Sequence, residues 1–145
     1  MIRPKQSNVT EITFLNFKDT VMASDKPVVI KFTTSSCHLC KAFKIIFDNI
    51  ADEYSDKFNF GNVNTVTQHN LTKFFVIDGV PEVYIVNPKE EDAAKRAHLL
   101  KYPEKPDERT GFSESYFKKQ LDKYIDEKMW GIKWAFMIYQ NLLRH

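Results

Sequence analysis

Two hydrophobic periods alternate along this chain, one of about two residues and one near 3.6, and their order predicts an α/β protein. Residues 28–32, Val-Val-Ile-Lys-Phe, form a β-branched and aromatic run between Pro27 and the polar stretch Thr33-Thr34-Ser35-Ser36, the pattern of a strand buried on both faces. Lys31 is the single charge inside it. Over 40–54 the apolar residues Ala42, Phe43, Ile45, Ile46, Phe47, Ile50 and Ala51 recur at helical spacing, with Lys41, Lys44, Asp48 and Asp52 on the other side. Residues 9–22 read as a short strand followed by a helix from near Phe14. Residues 58–63 predict a strand, 67–75 a short helix and 82–86 a strand that stops at Asn87-Pro88. Strand, helix, strand, helix, strand implies layered α/β packing, with right-handed crossovers between parallel strands.

Residues 89–109 are charged, contain Pro103 and Pro106, and read as a long connection around one edge strand at 98–102. Ser113 opens a final amphipathic helix with Phe117, Leu121, Tyr124 and Ile125 as its apolar stripe. The tail beyond it, 129–145, is unusually apolar, yet it is short and interrupted by Lys133, which argues against a bilayer span. It is expected to be a helical extension packed on the 1–128 domain, on a second copy or on a partner, with Trp130, Trp134 and Phe136 as anchors.

Composition narrows the classes. A chain of 145 residues with 43% hydrophobic content can fill one core without staples. The net charge of +2 is too small and too dispersed for a nucleic-acid or membrane footprint, so neither is an expected partner. Residues 1–8 have no apolar run behind them and no secretory pattern, so the expected compartment is the reducing cytoplasm. Its two cysteines, three positions apart, cannot form a disulfide framework; inside a cell such a pair does chemistry or binds metal. Metal is disfavoured, because His38, His69, His98 and His145 are scattered singly and provide no second ligand couple. No cofactor is implied.

Cys37-His38-Leu39-Cys40 lies where a buried strand, after a short polar loop, gives way to an amphipathic helix. Cys37 then sits at the helix N-terminus, where free backbone N–H groups and the helix dipole stabilise a thiolate, and Cys40 lies one turn inside. A mixed disulfide formed at the first sulfur can be resolved by the second.

Together with Lys41, Ile50-Ala51-Asp52-Glu53-Tyr54, the strand beginning at Phe60, Gly79-Val80-Pro81 before a strand, and Gly111 ahead of the last helix, this pattern resembles the thioredoxin family over roughly residues 10 to 126. The resemblance implies a thioredoxin-like fold, a central mixed β-sheet flanked by helices, here with an extra C-terminal helical segment. It implies a thiol-disulfide oxidoreductase acting on protein disulfides, with Cys37 as nucleophile and Cys40 as resolving cysteine. Protein substrates, a redox partner serving as reductase or oxidant, and roles in electron transport and cell redox homeostasis follow from the same likeness. It also implies a cis peptide bond before Pro81, with the Val80 backbone pairing with an extended substrate segment.

Several positions depart from the family. Ser36 replaces the usual tryptophan, and His38-Leu39 the usual Gly-Pro, so an imidazolium at His38 is a candidate for stabilising the Cys37 thiolate. Ile45 stands where a kinking proline is common, which predicts a straighter helix. Lys31 occupies the place of the buried aspartate that helps deprotonate the second cysteine, and Asn62 that of its companion lysine. A buried lysine calls for a partner, and Glu82, after Pro81 on a neighbouring strand, is the expected one and the expected heir to proton transfer. The rival reading is a redox-inactive thioredoxin-fold binding module that uses the groove at Pro81 and the apolar tail.

Overall fold

The computed structural model describes residues 7–144, apart from the side chains of 129–136. The anchors expected at Trp130, Trp134 and Phe136 therefore lie outside the described residues. Five strands, β1 (Val9–Glu11), β2 (Val28–Thr33), β3 (Asn59–Asn64), β4 (Glu82–Val86) and β5 (Ala97–Leu99), form one sheet in the order β1-β3-β2-β4-β5. The first three in that order are mutually parallel, whereas β4 runs antiparallel to β2 and β5 antiparallel to β4. Helix α1 (His38–Glu53) connects β2 to β3, and α2 (His69–Phe74) lies between β3 and β4. The mixed sheet with flanking helices is the layered α/β fold that the residue pattern implies.

The chain divides into two compact units, Met1–Ser113 and Glu114–His145. The second contains α3 (Glu114–Tyr124), a π-helical turn (Ile125–Trp130) and α4 (Gly131–Leu143). In α3 the expected stripe is buried at Phe117, Leu121 and Tyr124. Among the described residues no helix is long and apolar enough to cross a membrane.

Because side chains alternate along a strand, the two faces of the sheet separate cleanly. One face carries Ile12, Val28, Ile30, Phe32, Val63 and Val86, which pack with Val21 and with Leu71 and Phe75 of the α2 segment. Phe32 meets the Phe75 ring at 5.1 Å and Tyr84 at 5.9 Å. The other face, under α1, includes Val29, Phe60, Val83 and Ile85, and Phe47 of α1 packs edge-on against Phe60 at 5.6 Å. Register places one polar row in this apolar layer, since Glu11 pairs with Asn62 and Asn62 with Lys31 across β1, β3 and β2.

Two local differences from the sequence pattern have plain causes. Helical structure after β1 begins later than Phe14, as a π-helical turn at Lys18–Met22. Thr13 and Asn16 cap one another's backbone N–H groups, at 2.8 and 3.2 Å, and hold the intervening residues in a turn. Phe14 and Leu15, at the expected start of that helix, are exposed. The edge strand ends at Leu99 and not Tyr102, although the Leu100 N–H still donates to the Val83 carbonyl at 2.9 Å. Helix α1 runs without a break through Ile45.

Helix α2 ends in a Schellman arrangement, with Val76 N–H donating to the Lys73 carbonyl and Ile77 N–H to that of Thr72, both at 3.1 Å. This geometry puts Val76 at φ 54°. A β-branched residue there is strained by about 1–2 kcal/mol, and Val76 is 70% exposed, so its side chain returns little in burial. Val76→Asn should therefore raise stability by about 1 kcal/mol in urea unfolding; a less stable variant contradicts this account of the loop.

Lys31 gives a second expectation. Burial drives its pKa below the ordinary 10.5, against the opposing pull of Asp48 and Glu11. The unfolded chain then binds more protons than the folded one between the lowered value and 10.5, so this group's contribution to stability improves as pH rises through that window. Lys31→Met removes the buried amine and should stabilise the fold by about 1 kcal/mol at neutral pH. The advantage should shrink as pH approaches 10.5. A variant less stable than wild type at pH 7, measured by denaturant unfolding, contradicts it.

Candidate active site

The loop after β2 ends at Cys37, which caps α1 with φ −88° and ψ 116°. Its Sγ accepts the Cys40 backbone N–H at 3.1 Å, and its carbonyl accepts the Lys41 N–H at 3.2 Å. A sulfur in this position meets an unsatisfied helix N–H and the positive end of the helix dipole, both of which favour the thiolate. Cys40 lies one turn further on, 5.2 Å away between Cα atoms, and the two sulfurs are joined as a disulfide. Cys40 is only 4% exposed, whereas Cys37 is half-buried. A visiting disulfide can therefore reach the first sulfur and not the second.

The segment before β4 forms the other wall. The Val80–Pro81 peptide bond is cis, Pro81 is buried, and the Val80 carbonyl oxygen lies 3.8 Å from Cys37 Sγ. In the dithiol state that oxygen can accept a hydrogen bond from the Cys37 thiol. The Tyr102 hydroxyl donates to the Pro81 carbonyl. Its ring stacks on Phe112 at 4.4 Å, and Phe112 meets Phe43 of α1 at 5.4 Å. Burial, and then the Glu82 carboxylate, push the Tyr102 hydroxyl up to about 12, so it remains a donor across the physiological range. Sequence reasoning missed Tyr102; its only signal was an aromatic placed just before Pro103 in a charged connection.

Of the remaining candidates, His38 is exposed in the first turn of α1. Lys31 is 5% exposed, its Nζ 5.4 Å from the Phe47 ring centroid and donating to Asn62 Oδ1 at 2.9 Å. The expected Lys31–Glu82 pairing is overturned. Lys31 lies opposite Val83, and Glu82 opposite Phe32, so their side chains leave opposite faces of the sheet. The proton-transfer role expected of Glu82 rested on that pairing and falls with it. Burial raises the Glu82 carboxyl pKa, an effect partly offset by the Asp78 backbone N–H, and its Oε2 has no hydrogen-bond partner among the described residues. His69 and His98 are exposed, and His145 lies outside the described residues. No group of three or more His, Cys, Asp or Glu suited to a metal occurs among the described residues.

A cleft of about 550 Å³ opens beside Cys40, between β1, β2, β3 and α1. Its walls include Glu11, Lys31, Asn62, Lys44 and Asp48. The arrangement supplies one reachable, activated sulfur, a second shielded sulfur within bonding distance, and a polar cleft beside the second.

Comparison with known proteins agrees with this geometry. The thioredoxin family profile matches residues 8–101. Thioredoxin of Acidithiobacillus ferridurans is 30% identical over 86 residues, 59% of this chain and 80% of that protein. Thioredoxin of Buchnera aphidicola subsp. Schizaphis graminum is 28% identical over 95 residues, 66% of this chain and 88% of the relative. Thioredoxin M4, chloroplastic, of Arabidopsis thaliana is 30% identical over 77 residues, 53% of this chain and 40% of the relative. With the profile covering well over half of its length and the cysteine pair seated at the start of α1, this chain belongs to the thioredoxin family, and it is a thiol-disulfide oxidoreductase that works on protein disulfides by dithiol-disulfide exchange through Cys37 and Cys40.

Proposed function

We propose that Cys37 is the attacking thiolate and Cys40 the resolving thiol, and that an extended substrate segment docks along Val80 and Pro81. The observation that supports this division most strongly is the asymmetry of the pair: Cys37 Sγ is reachable and accepts a helix N–H, while Cys40 is buried one turn inside. A segment that pairs with the Val80 backbone brings its own disulfide past Cys37, because the Val80 carbonyl is 3.8 Å from that sulfur. Cys37 S⁻ attacks one substrate sulfur and displaces the other as a thiolate, which takes up a proton. Cys40 S⁻ then attacks Cys37 Sγ in the mixed disulfide, closing the Cys37–Cys40 bond and releasing the second substrate thiol. The protein dithiol loses two electrons and the substrate disulfide gains them.

A redox partner must then return the protein to its starting state, as a reductase in this direction or an oxidant in the reverse one. A reducing compartment such as the cytoplasm suits a chain with this cysteine inventory. His38, exposed and next to Cys37 in sequence, would add a positive field at that sulfur when protonated. The module reading, in which the cysteines are idle, gains nothing from a site with one reachable sulfur at a helix N-terminus.

Insulin-disulfide reduction with dithiothreitol as the electron source tests the roles. Cys37→Ser should reduce the rate to the uncatalysed background. Cys40→Ser should accumulate a mixed disulfide with substrate at Cys37, visible by mass spectrometry and released by reductant. Wild-type turnover in Cys37→Ser, or a substrate adduct at Cys40 in that variant, contradicts the assignment.

A further inference from the structure

We propose that Tyr102 is a positioning residue for the exchange reaction: its hydroxyl, bonded to the Pro81 carbonyl, holds the Val80 peptide in the orientation that pairs with a protein substrate beside Cys37. The proposal rests on the docking of substrate along Val80 and Pro81 given above, and adds the group that fixes that edge.

The sheet alone anchors this edge on one side only. Glu82 opens β4 and lies opposite Phe32 of β2, whereas Pro81 has no N–H to offer a neighbouring strand and Val80 comes before it. Tyr84 Oη donates to the Phe75 carbonyl at 2.7 Å and so ties down the start of the 75–81 segment. Its end is tied from the β5 side. Val86, Ile85 and Tyr84 lie opposite Ala97, His98 and Leu99, and the Leu100 N–H donates to the Val83 carbonyl at 2.9 Å. The same register, continued by two residues, sets Tyr102 opposite Pro81, and there the phenol hydroxyl donates to the strand carbonyl.

A tether orients its target only if it is itself held. The Tyr102 ring stacks on Phe112 with centroids 4.4 Å and planes 30° apart, and the fully buried Phe112 lies 5.4 Å from the Phe43 ring of α1. Gly111 leaves room for the ring: its φ is 76°, and a Cβ there would come within 3.1 Å of Tyr102 Cε1. The Asp107 and Gly111 backbones bond to each other at 2.8 and 3.2 Å, which closes the turn leading into Phe112. Because α1 also carries Cys37 at its N-terminus, one chain of contacts joins the helix of the attacking sulfur to the peptide that receives substrate. The family profile match stops at residue 101, so Tyr102, Gly111 and Phe112 all come from the chain beyond it.

Pairing through backbone hydrogen bonds gains from an edge already in its paired orientation, since less ordering is left to be done on binding. A small disulfide has no backbone to pair and reaches Cys37 without that edge. The Tyr102 hydroxyl therefore favours protein disulfides over small ones, and it takes no part in the bond exchange at sulfur.

The test is Tyr102→Phe in the full chain, which keeps the ring and its stack and removes the donor. With insulin as substrate and dithiothreitol saturating, KM should rise about fivefold while kcat stays within about twofold. Hydroxyethyl disulfide should be reduced at the wild-type rate, which together with circular dichroism checks the fold. The backbone amide order parameter at Val80, measured by NMR relaxation, should fall from about 0.85 to below about 0.6.

An unchanged insulin KM overturns the proposal, as does an equal loss of rate on insulin and on hydroxyethyl disulfide, the mark of a merely structural role. The order parameter separates the causes. A Val80 that stays rigid in Tyr102→Phe shows that the hydroxyl does not hold it, and leaves docking at Val80 standing. A loosened Val80 with an unchanged insulin KM shows that substrate does not dock there, and removes the reading beneath the proposal. The roles of Cys37 and Cys40 are read separately, by loss of insulin reduction in Cys37→Ser.

Discussion

The acceptance of the Cys40 N–H by Cys37 Sγ is the contact on which the rest of the site depends. It makes the first cysteine the cap of α1, which fixes one sulfur against the positive end of the helix and sends the other a turn inwards. The buried strand β2 sets where that helix can start, and the buried face of α1, with Phe43, Phe47 and Ile50, keeps it on the sheet. A half-exposed and a buried sulfur on the same turn are unequal by construction. That inequality gives the exchange reaction its order.

The surroundings of the second sulfur distinguish this chain from others with the same motif. A lysine and an asparagine occupy strand positions under α1 that the family resemblance associates with an aspartate and a lysine, so the sign of the buried charge is reversed. A buried amine costs stability wherever it has no anion as its direct partner, and here Lys31 meets the Asn62 amide oxygen and the face of the Phe47 ring. Tyr102 acts on the opposite wall, where its hydroxyl ties the Pro81 carbonyl to the Phe112 and Phe43 stack.

Much of this was legible in the residues. The run from Val28 announced β2, the apolar spacing after Cys40 announced α1, and the residues of β4 were read to the same limits, because each combines strong periodicity with unambiguous stops. The helix near Phe14 was misplaced because its apolar residues mimic a stripe while Thr13 and Asn16 satisfy one another's backbone locally. The Lys31–Glu82 pairing failed for a different reason. A single sequence does not state strand register, and a slip of one residue sends a side chain to the opposite face, so proximity of strands alone could not decide which residues meet. The same ignorance of register hid the row that joins Glu11 to Asn62. Tyr102 was hidden because it sits in a connection with little periodicity, where only the fold reveals what a hydroxyl can reach.

The most direct measurement is the pH dependence of alkylation of the reduced protein by iodoacetamide, with each cysteine followed separately by mass spectrometry. The account predicts that Cys37 reacts first, with an apparent pKa below the roughly 8.5 of a free thiol, and that Cys40 lags behind it at every pH. Cys40 reacting ahead of Cys37, or Cys37 titrating no lower than an ordinary thiol, would contradict it.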